Sequence, residues 1–463
     1  MRIRKYDFDY GRRMLLEKGG KAAAAGVLAP LWGVIPKSAA DISKAYPDEL
    51  LSIEMYTKGK IKPGDVLSEN NVDVVKDLLD PITFDQVKTM GRKINIVEST
   101  KDVTKLMPYQ YLDATLKHKG KAVFGPDGNV WDKAEGTPWS GGNPFPDAKT
   151  GVEAMANVTM SWGRHNYSQY AISGKSLGPD GSADYVNDYV WAELNATARP
   201  DGTIWQNRRD ILRFQSVWFT SPQDVAGTSF LNIWYYDQRK FPDLYGYLPA
   251  FKRVRQFPTN QRFEPLLPGM TFFLSDAWAA GDPMLTWGNY KIVGRQPMLG
   301  AFSSQNFRGG HDPNWQRGEH GGPKGKTFYN SWFELIPECI VVETEPTGYP
   351  RAPVGKRKIW FDVRCGMWPT AVSYDRRGQV WKQWEAGFAQ YSNEHMTVKD
   401  ATDGHPVWSW TYVHSYDAQA NRMTLLEQAR QVTGGYQSTW WEGNVDVYNK
   451  YLTVQAIQRL GQT

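Results

Sequence analysis

Cysteine is almost missing from this chain: the 463 residues hold two, Cys339 and Cys365. Two thiols are too few to cage a metal. With none before Cys339, there is also no lipobox for a lipid anchor on a processed N-terminus. Both lie in strand-like runs. In an oxidising compartment they either bridge or stay as buried thiols, and spacing alone leaves both open. Histidine is scarce and scattered, with seven residues and no H-E-x-x-H pattern. "GGHDPNWQRGEHGGPKG" sets His311 and His320 near Asp312 and Glu319, yet its six glycines describe an exposed loop, so no metal is expected. No dinucleotide fingerprint occurs. "GKS" and "GKT" carry Gln169 and His320 where a phosphate loop needs its first glycine, so no cofactor is expected.

An excess of one charge is also lacking. The formal charge is +5, but the first forty residues hold eight of the 54 basic and three of the 49 acidic side chains, leaving 46 of each sign in the body. A neutral body offers little of the summed positive potential that displaces counterions, which argues against a nucleic-acid partner. No apolar run is long enough to span a bilayer. The longest, Ala22 to Ile35, is interrupted by Pro30 and two glycines.

That short run sits in an ordered context. A basic region with Arg12-Arg13 comes first, then the weakly apolar core, then small residues at Ser38 and Ala40. This order reads as a twin-arginine-like signal peptide over residues 1–40, cleaved near Ala40, and predicts a soluble periplasmic protein. Residues 41–160 read as a mixed, partly helical segment. Ser68 would cap a helix through Val72, Val75, Leu78 and Leu79 that Pro81 ends, and Thr150 would cap another over "GVEAMANVTMSW". Residues 161–463 alternate with period two between turn signals and finish in a helix. This predicts a mainly β (α+β) fold built on one large curved antiparallel sheet.

Aromatic residues make up 14% of the chain, with twenty tryptophans. Several strands are apolar on both faces, as in "SFLNIWYY" and "VWSWTYVH". Either layers cover both sides of the sheet, or one face lines a hydrophobic cavity. The sparse helices favour attention to the second reading. Its candidate lining is Phe214, Trp218, Phe230, Trp234, Trp408, Trp410 and Tyr412. In "AFKRVRQF" the cations fall on both faces of one strand, which reads as structural and not as a phosphate stripe. Of catalytic signals there is one, the G-x-S-x-G "GKSLG" around Ser176. The residues after it form a turn where a nucleophile elbow needs a helix, so a serine hydrolase is the remotest reading and no enzyme is expected.

"LPAFKRVRQF" followed by "FLSDAWAAGDPMLTWGNYKIVG" resembles the core of LolA-like lipoprotein-sorting proteins. "PFPDAKTGVEAMAN" and "KRKIWFDVRCGMWPTAVSYDRRGQVWKQWEA" resemble the narrower domain of unknown function family 1329. The resemblance runs from about residue 50 to the C-terminal helix. It implies an unclosed, strongly curved β-barrel of LolA-LolB type with a helical lid, an apolar pocket and added N-terminal elements. It also implies a carrier for a lipid, acyl chain or other hydrophobic molecule, working with a resistance-nodulation-division-type transporter and an outer-membrane protein. An envelope adaptor binding those same partners is the alternative. Arg253 and Arg255 match the family's basic strand, Asp276 and Asp282 its following acidic segment, and a structural ion pair between the two is expected.

Overall fold

The computed structural model describes residues 41–258, 262–276 and 281–462. The expected export segment, residues 1–40 with Arg12, Arg13 and Ala40, lies outside them. Fifteen strands form one mixed sheet: β1 (Val66–Leu67), β2 (Ile94–Ile96), β3 (Tyr167–Leu177), β4 (Ala183–Asn195), β5 (Ile211–Ser221), β6 (Ser229–Tyr235), β7 (Asp243–Leu248), β8 (Arg253–Phe257), β9 (Gly288–Gly300), β10 (Trp332–Glu345), β11 (Val354–Asp362), β12 (Thr370–Asp375), β13 (Val380–Gln390), β14 (Trp408–Asp417) and β15 (Arg422–Ala429). The spatial order is β1-β2-β10-β11-β12-β13-β14-β15-β3-β4-β5-β6-β7-β8, with β9 also paired to β10. All pairs are antiparallel except β2 with β10. β8 pairs only with β7, so the sheet does not close into a barrel.

The sheet curls nonetheless. From β6 to β11 is eight steps in the hydrogen-bonded order, about 38 Å at ~4.8 Å per step. Yet both flanks reach the neighbourhood of Gly281. From the β6 side, Arg262 donates to Asn232 Oδ1 at 3.1 Å, to the Gly281 carbonyl at 2.6 Å and to Asp282. From β11, Arg357 brings Nη1 to the open side of Gly281, about where a side chain there would begin. Residues 262–276 and 281–287 lie on the inner side between them. Thr271 donates its hydroxyl to the Ser415 carbonyl and its N–H to Thr424 Oγ1, fastening the first of these stretches to β14 and β15.

Helices α1 (Pro81–Thr89), α2 (Tyr109–His118) and α3 (Gly151–Thr159) pack on this inner side and share its core. Pro81 does not end a helix as expected. The run before it is 3-10 over Val72–Leu78, and Pro81 opens α1 because Asp80 accepts from the N–H groups of Ile82 and Thr83. A proline in the first turn loses no intrahelical bond. α3 starts on Thr150 with a full capping box to Glu153, as its sequence indicates. The C-terminal α4 (Val447–Tyr451) and α5 (Val454–Leu460) cover part of the outer face, and break between them at Leu452–Thr453. No helix among the described residues is long and apolar enough to cross a membrane.

Candidate functional site

Strand alternation sorts the aromatic candidates onto two faces. On β5, Val217 and Phe219 belong to the inner core, while Phe214 and Trp218 point outward. Phe214 meets Tyr448 at 4.9 Å and Trp218 stacks on Tyr451 at 5.0 Å, both in α4. These two therefore leave the expected lining: they anchor the C-terminal helices. Phe230, Trp234, Trp408, Trp410 and Tyr412 do face inward, none more than 5% exposed. They largely pack on one another's neighbours. Trp408 stacks on Phe388 at 5.1 Å, and Trp410 meets Tyr170 edge-on at 5.6 Å.

Three clefts lie elsewhere. A groove of about 830 Å³ follows residues 95–102 and Ser303 to Gln305, one of about 740 Å³ lies along residues 430–435, and a cavity of about 20 Å³ sits between Ala154, Ile340 and Gly366. The last is large enough for one water. None of the three is lined by the seven rings.

The inner face is more polar than the sequence pattern suggests. Arg92, from the turn after α1, forks onto Glu385 of β13 at 2.8 and 2.7 Å and also donates to Gln86 Oε1. Tyr412 donates to the same carboxylate at 3.1 Å, and His414 Nδ1 lies 3.4 Å from it. Burial alone would raise the Glu385 carboxyl, but the Arg92 charge and the bonds from His414 and Arg92 hold it well below its ordinary range. Burial, only partly opposed by Glu385, brings His414 down to about 4.

The acidic residues of the family motif lie here too, with partners other than those expected. Asp276 pairs with Arg357 at 3.0 Å and with Lys382; Asp282 pairs with Arg262 and accepts from Ser275 and Trp287. Arg253 and Arg255 stay exposed on the edge strand β8, where Arg255 lies over the Phe251 ring at 4.4 Å. No ion pair joins the two groups, because the basic strand is the sheet's outermost and the acidic segment turns inward.

The other sequence candidates disperse. Ser176 is buried near the end of β3, with Thr424 Oγ1 at 3.3 Å, and the strand gives way after Leu177 to a turn where an elbow would need a helix. His311 sits edge-on to His395 at 4.4 Å, while His320 pairs with Phe328 in a two-residue strand. Cys339 and Cys365 are both buried, as free thiols. Burial pushes the Cys365 thiol up to about 12.

Sequence reasoning missed the polar groups where α3 turns into β3. Ser161 and Arg164 are wholly buried there, Glu193 and Arg213 lie on the adjoining inner face of β4 and β5, and each keeps side-chain atoms without a hydrogen-bond partner. Arg213 donates once, to the Thr159 carbonyl at 2.8 Å, and stacks 4.4 Å from Trp234. Desolvation lowers it to about 10, against a smaller opposing pull from Glu193.

No curated protein matches the chain. Among solved structures it is similar to a domain classed with outer membrane lipoprotein-sorting proteins from Vibrio parahaemolyticus, at 17% identity and a TM-score of 0.42, covering 66% of this chain and 98% of that one. It is also similar to a DUF1329 family protein from Desulfovibrio piger (14%, TM-score 0.41, 65% and 98%) and to a LolA superfamily protein from Nitrosomonas europaea (14%, TM-score 0.32, 62% and 96%). These are loose likenesses. The family model described as "Protein of unknown function (DUF1329)" matches residues 66–458, and the chain belongs to that family.

Proposed function

We propose that this protein is a periplasmic carrier or binding protein for a lipid or other hydrophobic molecule, cooperating with an envelope export system. The observation that carries the reading is the curled sheet. Its two flanks both reach Gly281, around an inner face of buried rings. Removing an alkyl chain from water is favourable by ~0.8 kcal/mol per methylene, so a ring-lined interior needs no catalytic chemistry to hold one. The signal-like first forty residues support the periplasm. The resistance-nodulation-division-type transporter and outer-membrane protein implied by the family resemblance would be the donor and acceptor. An adaptor would instead display its surplus apolar face flat to solvent, and here the inward rings are enclosed.

Native mass spectrometry of the protein from its own periplasm is expected to show a bound hydrophobic molecule that organic extraction removes. The extracted protein should then take up a fluorescent alkyl probe. A uniformly ligand-free protein that ignores the probe would overturn the reading.

A further inference from the structure

The fold neutralises its inner cations with care. Arg92 has Glu385, Arg262 has Asp282, Arg357 and Lys382 share Asp276, and Arg364 has Asp362 and Glu334. Among the described residues, Arg213 and Arg317 have no ion pair but donate to backbone carbonyls, whereas Arg164 does neither. It is 0% exposed, and its Nε, Nη1 and Nη2 all lack a hydrogen-bond partner. Its guanidinium lies 4.8 Å from the Tyr111 ring and 5.5 Å from the Trp408 ring. Stacking on π faces holds the cation but leaves its in-plane N–H donors unused. The backbone here has φ +61°, a conformation that costs free energy in a non-glycine residue and persists only where its surroundings enforce it.

The Trp408 ring beside it and Ser161, three residues earlier in the chain, carry two further donors. Trp408 Nε1 and Ser161 Oγ are both buried and without partners. The carboxylate of this face, Glu193, is engaged elsewhere: its Oε2 accepts from Gln215 at 2.5 Å, and its charge acts on Arg213. Its other oxygen lies beside Gly163 with no partner. A buried guanidinium without a counter-charge is penalised by several kcal/mol. An oxyanion, which accepts two parallel N–H bonds from an arginine fork, removes that penalty.

We propose that Arg164 is the head-group site of the carrier. It takes the carboxylate or phosphate of an anionic amphiphile whose hydrocarbon lies along the inner rings, with Trp408 and Ser161 as auxiliary donors. This rests on the carrier reading and narrows its cargo from hydrophobic molecules in general to those with an oxyanion at one end.

The test uses extracted full-length protein and three probes: palmitate, hexadecanol of the same chain length, and inorganic phosphate, each titrated calorimetrically. Wild-type protein is expected to prefer palmitate over hexadecanol by about tenfold or more. In Arg164→Met that preference should fall to about one while hexadecanol affinity holds. An unchanged preference in Arg164→Met overturns the proposal. Tight phosphate binding that palmitate does not improve on overturns the amphiphile assignment in favour of a free anion. If palmitate and hexadecanol both fail to bind, the carrier reading itself falls. If they bind equally, that reading stands and only the head-group site is lost. Should Arg164→Met not fold, thermal shifts of the wild type decide: palmitate should raise Tm by several degrees more than hexadecanol, and equal rises refute the site.

Discussion

Glu427 of β15 is a buried carboxylate. One oxygen accepts the Arg317 backbone N–H at 3.0 Å, and burial pushes the group up to about 7, with Arg317 opposing only in part. Its unfolded value is near 4.5. Between those two pH values the folded chain keeps a proton that the unfolded chain has released, so stability falls as pH rises through the window, by up to ~1.4 kcal/mol per pH unit. Glu427→Gln keeps the acceptor and removes the titration. Urea titrations at pH 5 to 8 should find the variant gaining on the wild type as pH rises from about 5 to about 7, then a constant difference. A difference independent of pH would show that this group does not titrate as argued. Such partnerships were illegible in the sequence. Arg92 and Glu385 stand 293 positions apart, and the nearby acids that made an Arg253–Asp276 pairing plausible were close only along the chain. Arg164 gave no signal either, since an arginine in "SWGRH" is ordinarily a solvated loop residue.

At the scale of elements the sequence was far more readable, because period-two alternation and capping are local. The Thr150 cap and the doubly apolar strands appear where patterning put them. What alternation cannot supply is which face is hollow, and Phe214 and Trp218 went to the wrong side for that reason. Pairing across strands is likewise non-local. Gly387 on β13 lies opposite Tyr412 on β14, where a Cβ would collide with the phenol ring that reaches Glu385. Gly387→Ala should therefore cost about 1–3 kcal/mol by overpacking. The cost should shrink markedly in a Tyr412→Ala background, measured as a double-mutant cycle by chemical denaturation. Additive losses would mean that the glycine is required for another reason.

For the molecule as a whole, the decisive fact is the sheet's order, in which the last long strand, β15, lies beside the first, β3, and the flanks at β6 and β11 are brought round to a seam. Composition and alternation pointed to a large curved sheet. They could not show that β6 and β11 converge, since that depends on Arg262 and Arg357 both reaching Gly281 across the inner face. The seam gives the last prediction. Asp282→Ala leaves Arg262 buried without its counter-charge and removes the acceptor for Ser275 and Trp287, so it should cost about 3–5 kcal/mol. More diagnostic is where the loss shows. If the stretch at Gly281 ties the two flanks, hydrogen exchange should quicken in β6 and β11 together, eight strands apart in the ladder, while the β3–β15 junction between them stays protected. Faster exchange confined to β6 would mean that the flanks do not share a seam. The curled enclosure on which the carrier reading depends would then have no fastening.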